Sequence, residues 1–359
     1  MSRLEHLDVP IVQAPMAGGP STPRLAAAVS SVGALGFLAA GYLDADRVRS
    51  DIAAVRQLTD APFGVNVFAP TGRPADPATL ASYAESLRSE SDRVGIALGE
   101  PRFDDDRFDD KIELLCRERV PIVSFTFGLP RREVVERLTA AGSEVWVTVT
   151  TPAEAVAAVA LGATALVVQG IEGGGHRGTH VDDPDAPDLT LLAALQLVRA
   201  HVVVPLVAAG AIATGPAVAA VLAAGAAAAQ LGTAYMRCPE AGTSPTHRNA
   251  LLTGTPTVLT RAFSGRLARG IRNRFHDEHA AAAPRAYPEV HHLTAPLRAH
   301  GRSTDDDQIV NLWAGQAHEL ATDEPAATLT RRLADEARLA LDAASRRFAP
   351  TEPPHLPNS

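Results

Sequence analysis

Lysine is nearly absent from this chain: Lys111 is the only lysine among 359 residues. A phosphate-binding loop that depends on lysine is therefore excluded, and a bound anion must be held by arginine or by backbone N–H groups. The two cysteines, Cys116 and Cys238, have a spacing that fits neither a disulfide framework nor a zinc site. Aromatic residues make up only 4% of the chain, so we expect a core built largely from small aliphatic side chains.

Basic clusters and apolar leader segments are also missing. The net charge is −8 and no run of Lys or Arg stands out, so we expect no binding to nucleic acid. Residues 202–236 carry no charged side chain, but prolines and glycines interrupt them, and we interpret them as a buried β-α-β unit rather than a membrane span. The N-terminal residues contain no apolar run, so we expect no signal peptide and a cytoplasmic location.

Short apolar runs alternate with segments rich in alanine and leucine along the first two thirds of the chain. Strands that alternate with helices indicate a parallel sheet, and eight strands are the number that closes a (β/α)8 barrel, the TIM-barrel fold. A doubly wound sheet is the alternative. The eight predicted strands cover residues 10–14, 35–40, 63–68, 121–125, 144–149, 165–169, 205–209 and 227–231.

The alternation stops after the eighth predicted strand. Residues 1–238 are therefore predicted to form the barrel domain, and the polar segment 239–303, rich in Arg and His, a smaller cap domain over its mouth. Within residues 304–348 we predict helices over 305–318 and 328–348 that return to the barrel, and residues 349–359 are predicted to be a disordered tail. The acidic run between the third and fourth strands is interpreted as solvated, helix-starting charge, and no metal is expected.

A glycine-rich loop follows the sixth predicted strand and contains His176. Glycines let a backbone approach a ligand closely, and a histidine side chain can hold or move a proton near neutral pH. Since the active site of a parallel barrel forms at the carboxyl ends of its strands, we predict that His176 is catalytic. A solvated histidine in a surface turn is the competing interpretation.

Amides and glycines, rather than acids, follow the other predicted strands. Asn66 and Gln169 end the third and sixth strands, and neutral amides can bind the edge of a flavin ring. The turns at Gly210 and Gly232 follow the seventh and eighth strands, where barrels commonly bind phosphate through backbone N–H groups. Glycines that merely permit tight turns are the alternative interpretation.

Several of these segments together resemble the nitronate monooxygenase family, long called 2-nitropropane dioxygenases. They are Gln-Ala-Pro-Met at 13–16, Gly-Val-Asn at 64–66, the loop 170–178, Gly-Ala-Ile at 210–212 and Gln-Leu-Gly-Thr at 230–233. The resemblance implies a TIM barrel with FMN as cofactor, oxidation of alkyl nitronates such as propionate 3-nitronate by O₂, and His176 as the active-site histidine. The expected cofactor contacts are Ala14, Pro15, Met16, Asn66, Gln169, Gly174, Gly175, Gly210, Ala211, Gln230, Leu231, Gly232 and Thr233.

Two departures from the family pattern concern the phosphate turn and the cap. The family commonly has two glycines where this chain has Gly210-Ala211, and its cap tends to carry tyrosines and sometimes a lysine where this chain has Tyr287, His291 and His292. The cap residues expected to contact the substrate beside His176 are Tyr287, His291 and Arg261. We hypothesise that His176 hydrogen-bonds a nitronate and acts as a base toward a neutral nitroalkane.

Two alternative functions remain open from the sequence. The first is a flavin-dependent enoyl-ACP reductase, or another NAD(P)H-dependent flavin oxidoreductase of the same fold. The second is a non-catalytic protein that binds FMN or another phosphate ligand. In the preferred interpretation the partners are a small nitronate and O₂, with no nucleic acid or membrane, and the protein is a monomer or homodimer.

Overall fold

Strands and helices alternate through most of the computed structural model, which describes residues 3–70 and 72–348. The predicted tail, residues 349–359, lies outside the described residues. Numbered in chain order, the strands are β1 Ile11–Gln13, β2 Gly36–Ala39, β3 Phe63–Phe68, β4 Ile122–Thr126, β5 Glu144–Val149, β6 Ala165–Gln169, β7 Gly175–His176, β8 Leu206–Ala209, β9 Ala228–Leu231, β10 Thr257–Thr260 and β11 Ala268–Ile271.

Eight of these strands form a parallel sheet in the order β1-β9-β8-β6-β5-β4-β3-β2. A parallel bridge between Val12 and Leu35 connects the two edges of the sheet, so the sheet closes into a barrel. Each predicted strand matches one of these eight, with ends that differ by no more than one residue, and the predicted TIM barrel is confirmed. The uncharged stretch 202–236 contains β8 and β9, as predicted, and no helix among the described residues is long and apolar enough to cross a membrane.

Several helices around the barrel begin with side-chain caps and are rich in alanine. Thr22, Thr151 and Thr214 each accept a hydrogen bond from a backbone N–H of the helix that follows, and a proline stands in the first turn of all three helices. The helices are α1 Pro23–Ser30, α2 Ala45–Leu58, α3 Pro77–Ser86, α4 Arg88–Val94, α5 Phe108–Glu118, α6 Arg132–Ala140, α7 Pro152–Leu161, α8 Leu191–Arg199, α9 Gly215–Ala223, α10 Pro245–Ala250, α11 Arg274–His279, α12 Glu289–Thr304 and α13 Ala326–Phe348.

Large side chains fill one part of the barrel interior. Phe37 and Trp146 are buried in one apolar cluster with their ring centroids 5.6 Å apart, and Leu4 of the N-terminal 3-10 turn packs into the same cluster. The carboxyl ends of the strands carry amides and glycines instead, and they line a cavity. This division of the interior places any ligand at the carboxyl ends, as expected for a parallel barrel.

The cap contains a second, three-stranded antiparallel sheet in the order β10-β11-β7. Its third strand is the pair Gly175–His176, which aligns with Ala268 and Arg269 of β11. The sequence analysis predicted no strand in the polar segment 239–303 or in the histidine loop, so it missed these strands. The sheet connects the histidine loop of the barrel directly to the cap.

The predicted helix over 305–318 is wrong. Asp305 ends α12 in a left-handed conformation, and only short 3-10 turns follow at Asp307–Ile309 and His318–Leu320. Between these turns the chain is extended, because Leu312 and Trp313 pair with the β11 edge of the cap sheet. Hydrogen bonds to a distant strand therefore outweigh the local helical periodicity. The second predicted helix, 328–348, is confirmed by α13, which packs on α9 and α1 of the barrel.

The long connection between β3 and β4 contributes to the cap side of the molecule. Its helices α3 and α4 pack against α12, and Tyr83 of α3 donates a hydrogen bond to the carbonyl of Ala262 at 2.7 Å. The acidic run is largely paired: Asp104 contacts His292 at 2.9 Å and Asp106 contacts Lys111 at 2.7 Å. The division of the chain at residues 238/239 and 303/304 stays a prediction.

Candidate active site

A cavity of about 520 Å³ opens at the carboxyl ends of the barrel strands, beneath the cap. Its walls come from the barrel turns, from the cap helix α12 and from the extended segment that follows it. Most of the residues that the sequence analysis selected lie together in this wall. They are Ala14, Pro15, Met16, Asn66, Gln169, Gly174, Gly175, His176, Gly210, Ala211, Gln230, Gly232, Thr233 and His291.

Three selected residues do not line the cavity. Leu231 is 1% exposed and packs between the strands and the surrounding helices. Arg261 forms an ion pair with Asp182 at 2.7 Å. Tyr287 lies behind the wall, with its ring centroid 5.6 Å from that of His176 and its hydroxyl donating to the Tyr42 hydroxyl at 3.1 Å.

His176 is held between the barrel and the cap. Its Nε2 lies 2.8 Å from Oγ of Ser264, and its ring is surrounded by the rings of Phe127, Tyr287 and Trp313 at centroid distances of 5.4–5.7 Å. The Ser264 hydroxyl is also 3.3 Å from the carbonyl oxygen of Arg266, to which it can donate. When it does so, neutral His176 donates through Nε2 and keeps an unprotonated Nδ1.

The surroundings of His176 keep its ring neutral. Burial, together with the positive charges of Arg266 and Arg298, lowers the pKa of His176 to about 3. Among the described residues, no group lies within hydrogen-bonding distance of Nδ1. A neutral imidazole with one free nitrogen at a cavity wall can accept a proton from a ligand, or donate one in its other tautomer.

The three amides that the barrel strands contribute are used differently. The amide nitrogen of Asn66 donates to Ser124 and Thr126, which leaves its oxygen free within the described structure. Gln169 donates to the carbonyl of His176 at 3.0 Å and accepts from the N–H of Gly178 at 2.8 Å, so it braces the histidine loop. The side chain of Gln230 makes no hydrogen bond within the described residues, so its amide is available to a ligand.

Glycines bring three segments of backbone together at one end of the cavity. A methyl group added to Gly174 would lie 2.5 Å from backbone atoms of Ala314 and Gly315, and one added to Gly210 would lie 3.3 Å from the nitrogen of Gly173. The close backbone excludes a side chain at Gly174, and the φ of +136° disfavours one at Gly210. Within the described chain the N–H groups of Ala211 and Gly232 make no hydrogen bond, so this cradle offers donors to an anion.

Ala211 adopts the left-handed backbone conformation, with φ +51°. This conformation favours glycine, so alanine adopts it here at some energetic cost. Tyr42 and Phe127, which also line the cavity, have φ +66° and +80°. Strained residues of this kind often cluster at functional sites.

The sequence analysis missed residues that the cap and the segment after it add to the cavity wall. Ser264, Arg298 and Arg302 of the cap, and Asn311 and Trp313 of the extended segment after it, all line the cavity, although they are distant in sequence from the barrel motifs. The Arg-rich composition of the cap was a signal, but the sequence did not indicate which arginines face inward. His291, which the sequence analysis selected, stacks on Tyr42 with centroids 4.2 Å apart.

Comparison with known proteins gives a consistent result. The family model described as nitronate monooxygenase matches residues 2–336. A nitronate monooxygenase of Pseudomonas aeruginosa is 40% identical over 356 residues, which covers 94% of this chain and 98% of the relative. The crystal structure of a nitroalkane oxidase from Streptomyces ansochromogenes is 48% identical and has a TM-score of 0.92, with 95% of this chain and 99% of that one covered.

A more distant solved structure is FabK from Thermotoga maritima, with 25% identity and a TM-score of 0.75, covering 97% of this chain and 99% of that one. This chain is much more similar in sequence to the nitroalkane oxidase and to the Pseudomonas enzyme than to FabK. Because the family model and these relatives span nearly the whole chain, this protein is an oxidoreductase that belongs to the nitronate monooxygenase family.

Proposed function

We propose that this protein binds FMN in the cavity and oxidises small alkyl nitronates with O₂, and that His176 positions the substrate. The family is flavin-dependent in general. The observation that carries the proposal is a neutral histidine with a free Nδ1, which faces the same cavity as a glycine cradle with free N–H donors. In this proposal the protein acts in the cytoplasm as a monomer or homodimer, without nucleic acid or membrane partners.

The residues present fit FMN. The unpaired N–H groups of Ala211 and Gly232 suit one terminal phosphate, and the free amide of Gln230 and the free oxygen of Asn66 suit the polar edge of a flavin ring. No GxGxxG sequence follows an early strand to hold the pyrophosphate of a dinucleotide. When bound, FMN supplies the acceptor for the substrate's electrons, which O₂ finally removes.

The protein's own contribution is orientation and control of one proton. For a nitronate, the Ser264 hydroxyl donates to Nε2 of His176, so that Nδ1–H can donate to a nitronate oxygen. For a neutral nitroalkane, the hydroxyl donates to the carbonyl of Arg266, and the free Nδ1 takes the proton from carbon. Rotation of one hydroxyl thus matches His176 to either substrate. The likeness to a nitroalkane oxidase supports neutral nitroalkanes as second substrates.

The test begins with the purified protein. We expect the visible spectrum of an oxidised flavin, release of FMN rather than FAD on heating, and O₂ consumption with a nitronate that His176→Asn strongly reduces. A colourless protein that FMN cannot reconstitute would overturn the proposal. Rapid anaerobic bleaching by NADH, without nitronate turnover, would favour the NAD(P)H-dependent alternative. Bound FMN without turnover of any nitronate would favour the non-catalytic alternative.

A further inference from the structure

A buried arginine of the cap lies behind the cavity wall, next to the histidine loop. Arg266 is 4% exposed, and its Nε donates to the carbonyl of Arg177 at 3.2 Å. One of its terminal nitrogens donates to the carbonyl of Thr179. These two carbonyls lie one and three residues after His176 in the chain. A single guanidinium of the cap therefore fixes the backbone that follows the histidine.

Arg266 also supports two of the groups that contact His176. Since its guanidinium carbon lies 4.2 Å from the centroid of the Phe127 ring and that centroid lies 5.7 Å from the centroid of the His176 ring, the guanidinium lies within about 10 Å of the imidazole. The contact with Phe127 is a cation–π interaction. The backbone carbonyl of Arg266 can accept from the Ser264 hydroxyl at 3.3 Å. One residue thus holds the loop, the ring and the hydroxyl that surround the imidazole.

No carboxylate pairs directly with this guanidinium. Among the described residues, no Asp or Glu oxygen lies within 4.0 Å of Arg266. Asp182 and Glu154 act on it from longer distances, and Asp182 is itself paired with Arg261 at 2.7 Å. Burial lowers the pKa of Arg266, but this pKa starts so high that the side chain stays charged at neutral pH. A net positive charge therefore lies behind the cavity wall, close to His176.

The two proposed substrates differ in charge by one proton, because a nitronate enters the cavity as an anion and a nitroalkane enters it neutral. When Nδ1 of His176 takes the proton from carbon, the C–H bond breaks, an N–H bond forms and the electron pair moves to the nitro group. A nitronate and an imidazolium then form side by side. A fixed positive charge stabilises the nitronate and destabilises the imidazolium, so its two effects largely cancel. With a substrate that is already a nitronate, only the stabilisation remains.

We propose that Arg266 is a positioning residue that also determines specificity: it fixes the backbone after His176, and its charge favours a nitronate over the neutral nitroalkane of the same carbon skeleton. The inference rests on the proposed function, in which both substrates react at His176. It extends that function to a residue behind the cavity wall, which acts through the loop, through Phe127 and through its electric field. An arginine with only a structural role would affect both substrates equally.

The kinetic test uses 1-nitropropane and propyl 1-nitronate, which differ by one proton. Arg266→Gln removes the charge and keeps a hydrogen-bond donor. We expect it to lower kcat/KM for both substrates, because the loop is held less firmly, and to lower it about 10-fold further for the nitronate, the effect on an anion of a unit charge about 10 Å away at an effective dielectric constant of about 20. Arg266→Lys keeps the charge and should keep the ratio of the two kcat/KM values.

The control is Arg272→Met, because Arg272 is an exposed cap arginine that is paired with Asp277 at 2.8 Å, and we expect wild-type kinetics from it. A ratio that Arg266→Gln leaves unchanged would overturn the role of the charge. Wild-type kcat/KM values in Arg266→Gln would overturn the positioning role. If Arg266→Gln does not fold, Arg266→Lys remains a test, because a lowered ratio with the charge retained would still overturn the proposal.

A binding test separates this inference from the proposed function, because it needs no turnover. Propionate and propionamide are unreactive, have nearly the same shape and differ in charge. In calorimetric titrations of the purified protein, we expect Arg266→Gln to weaken binding of propionate by about 10-fold and to leave binding of propionamide unchanged. Equal weakening of both ligands, or weakening of neither, would overturn the role of the charge. Failure of the wild type to oxidise any nitronate would instead overturn the proposed function.

Discussion

We expect Ser264 to control which tautomer of His176 contacts the substrate. Its hydroxyl is 2.8 Å from Nε2 and 3.3 Å from the Arg266 carbonyl oxygen, so it can donate to one of them at a time. Ser264→Ala removes both arrangements and leaves Nε2 in a pocket of aromatic rings without a partner. The perturbation therefore acts on the tautomer and orientation of His176, and it removes no atom of the glycine cradle.

The size of the effect follows from one lost hydrogen bond in a partly buried site. An unsatisfied buried polar group costs about 1–3 kcal/mol, which corresponds to roughly 5- to 150-fold in rate. Removal of the imidazole itself, in His176→Asn, should cost a neutral nitroalkane about 10²- to 10⁴-fold, the usual contribution of a general base. A nitronate needs no proton abstraction, so its loss in the same variant should be smaller.

Steady-state O₂ consumption with 1-nitropropane and with its nitronate measures both effects. We expect Ser264→Ala to lower kcat/KM for both substrates with unchanged FMN content, and Ser264→Thr to restore most of the activity because it keeps the hydroxyl. Wild-type activity of Ser264→Ala on both substrates would refute the role of the serine. Equal losses on both substrates in His176→Asn would refute the base role and leave only positioning.

Three other predictions concern the cradle, its left-handed turn and acid stability. Gly174→Ala places a methyl group 2.5 Å from the Ala314–Gly315 backbone, so we expect lower FMN retention in gel filtration and a stability loss of about 1–3 kcal/mol; unchanged retention would contradict the close packing. Ala211→Gly relieves a φ of +51° and should raise the free energy of unfolding by about 0.5–1 kcal/mol in urea, whereas a loss would contradict the strain. Burial lowers the pKa of His176 to about 3 and of His247 to about 4, from 6.5, so the unfolded chain binds protons that the folded chain does not. The free energy of unfolding should therefore fall as the pH drops from about 6.5 toward 4, by about 1.4 kcal/mol per unit of pKa shift. His247→Gln should reduce the slope of the free energy of unfolding against pH, and an unchanged slope would contradict the role of His247.

The barrel could be predicted from the sequence because its signals are local. Each strand is a short apolar run, and several carboxyl ends are marked by glycine or an amide, as at Gly210 and Gln230. Side-chain alternation along a strand also explains why one of the strand residues selected from the sequence, Leu231, does not face the cavity. Gln230 points inward, so its neighbour Leu231 must point toward the helices.

The cap could not be predicted in the same way because its structure depends on contacts between distant segments. The extended segment around Leu312 pairs with β11 some 40 residues earlier, and this pairing replaces the helix that its own pattern favours. The sequence also did not indicate that Arg298 faces the cavity. Arg261 and Arg298 are both cap arginines, and only the fold shows that Asp182 pairs with the first and that no carboxylate pairs with the second.

The barrel and the cap contribute groups of different kinds to the cavity wall. Groups suited to a cofactor come from the barrel: Asn66 from strand β3, and Gly210 and Gly232 from the turns that follow β8 and β9. Groups suited to a substrate, Ser264 and Arg298, come from the cap, and the cap sheet reaches into the barrel to hold His176 through β7. Because Nε2 of His176 contacts Ser264 of the cap and its backbone carbonyl accepts from Gln169, we expect a change in the cap to alter substrate selection and histidine orientation together. Substitutions in this cap should therefore change which nitro compound is used well before they change whether a flavin binds.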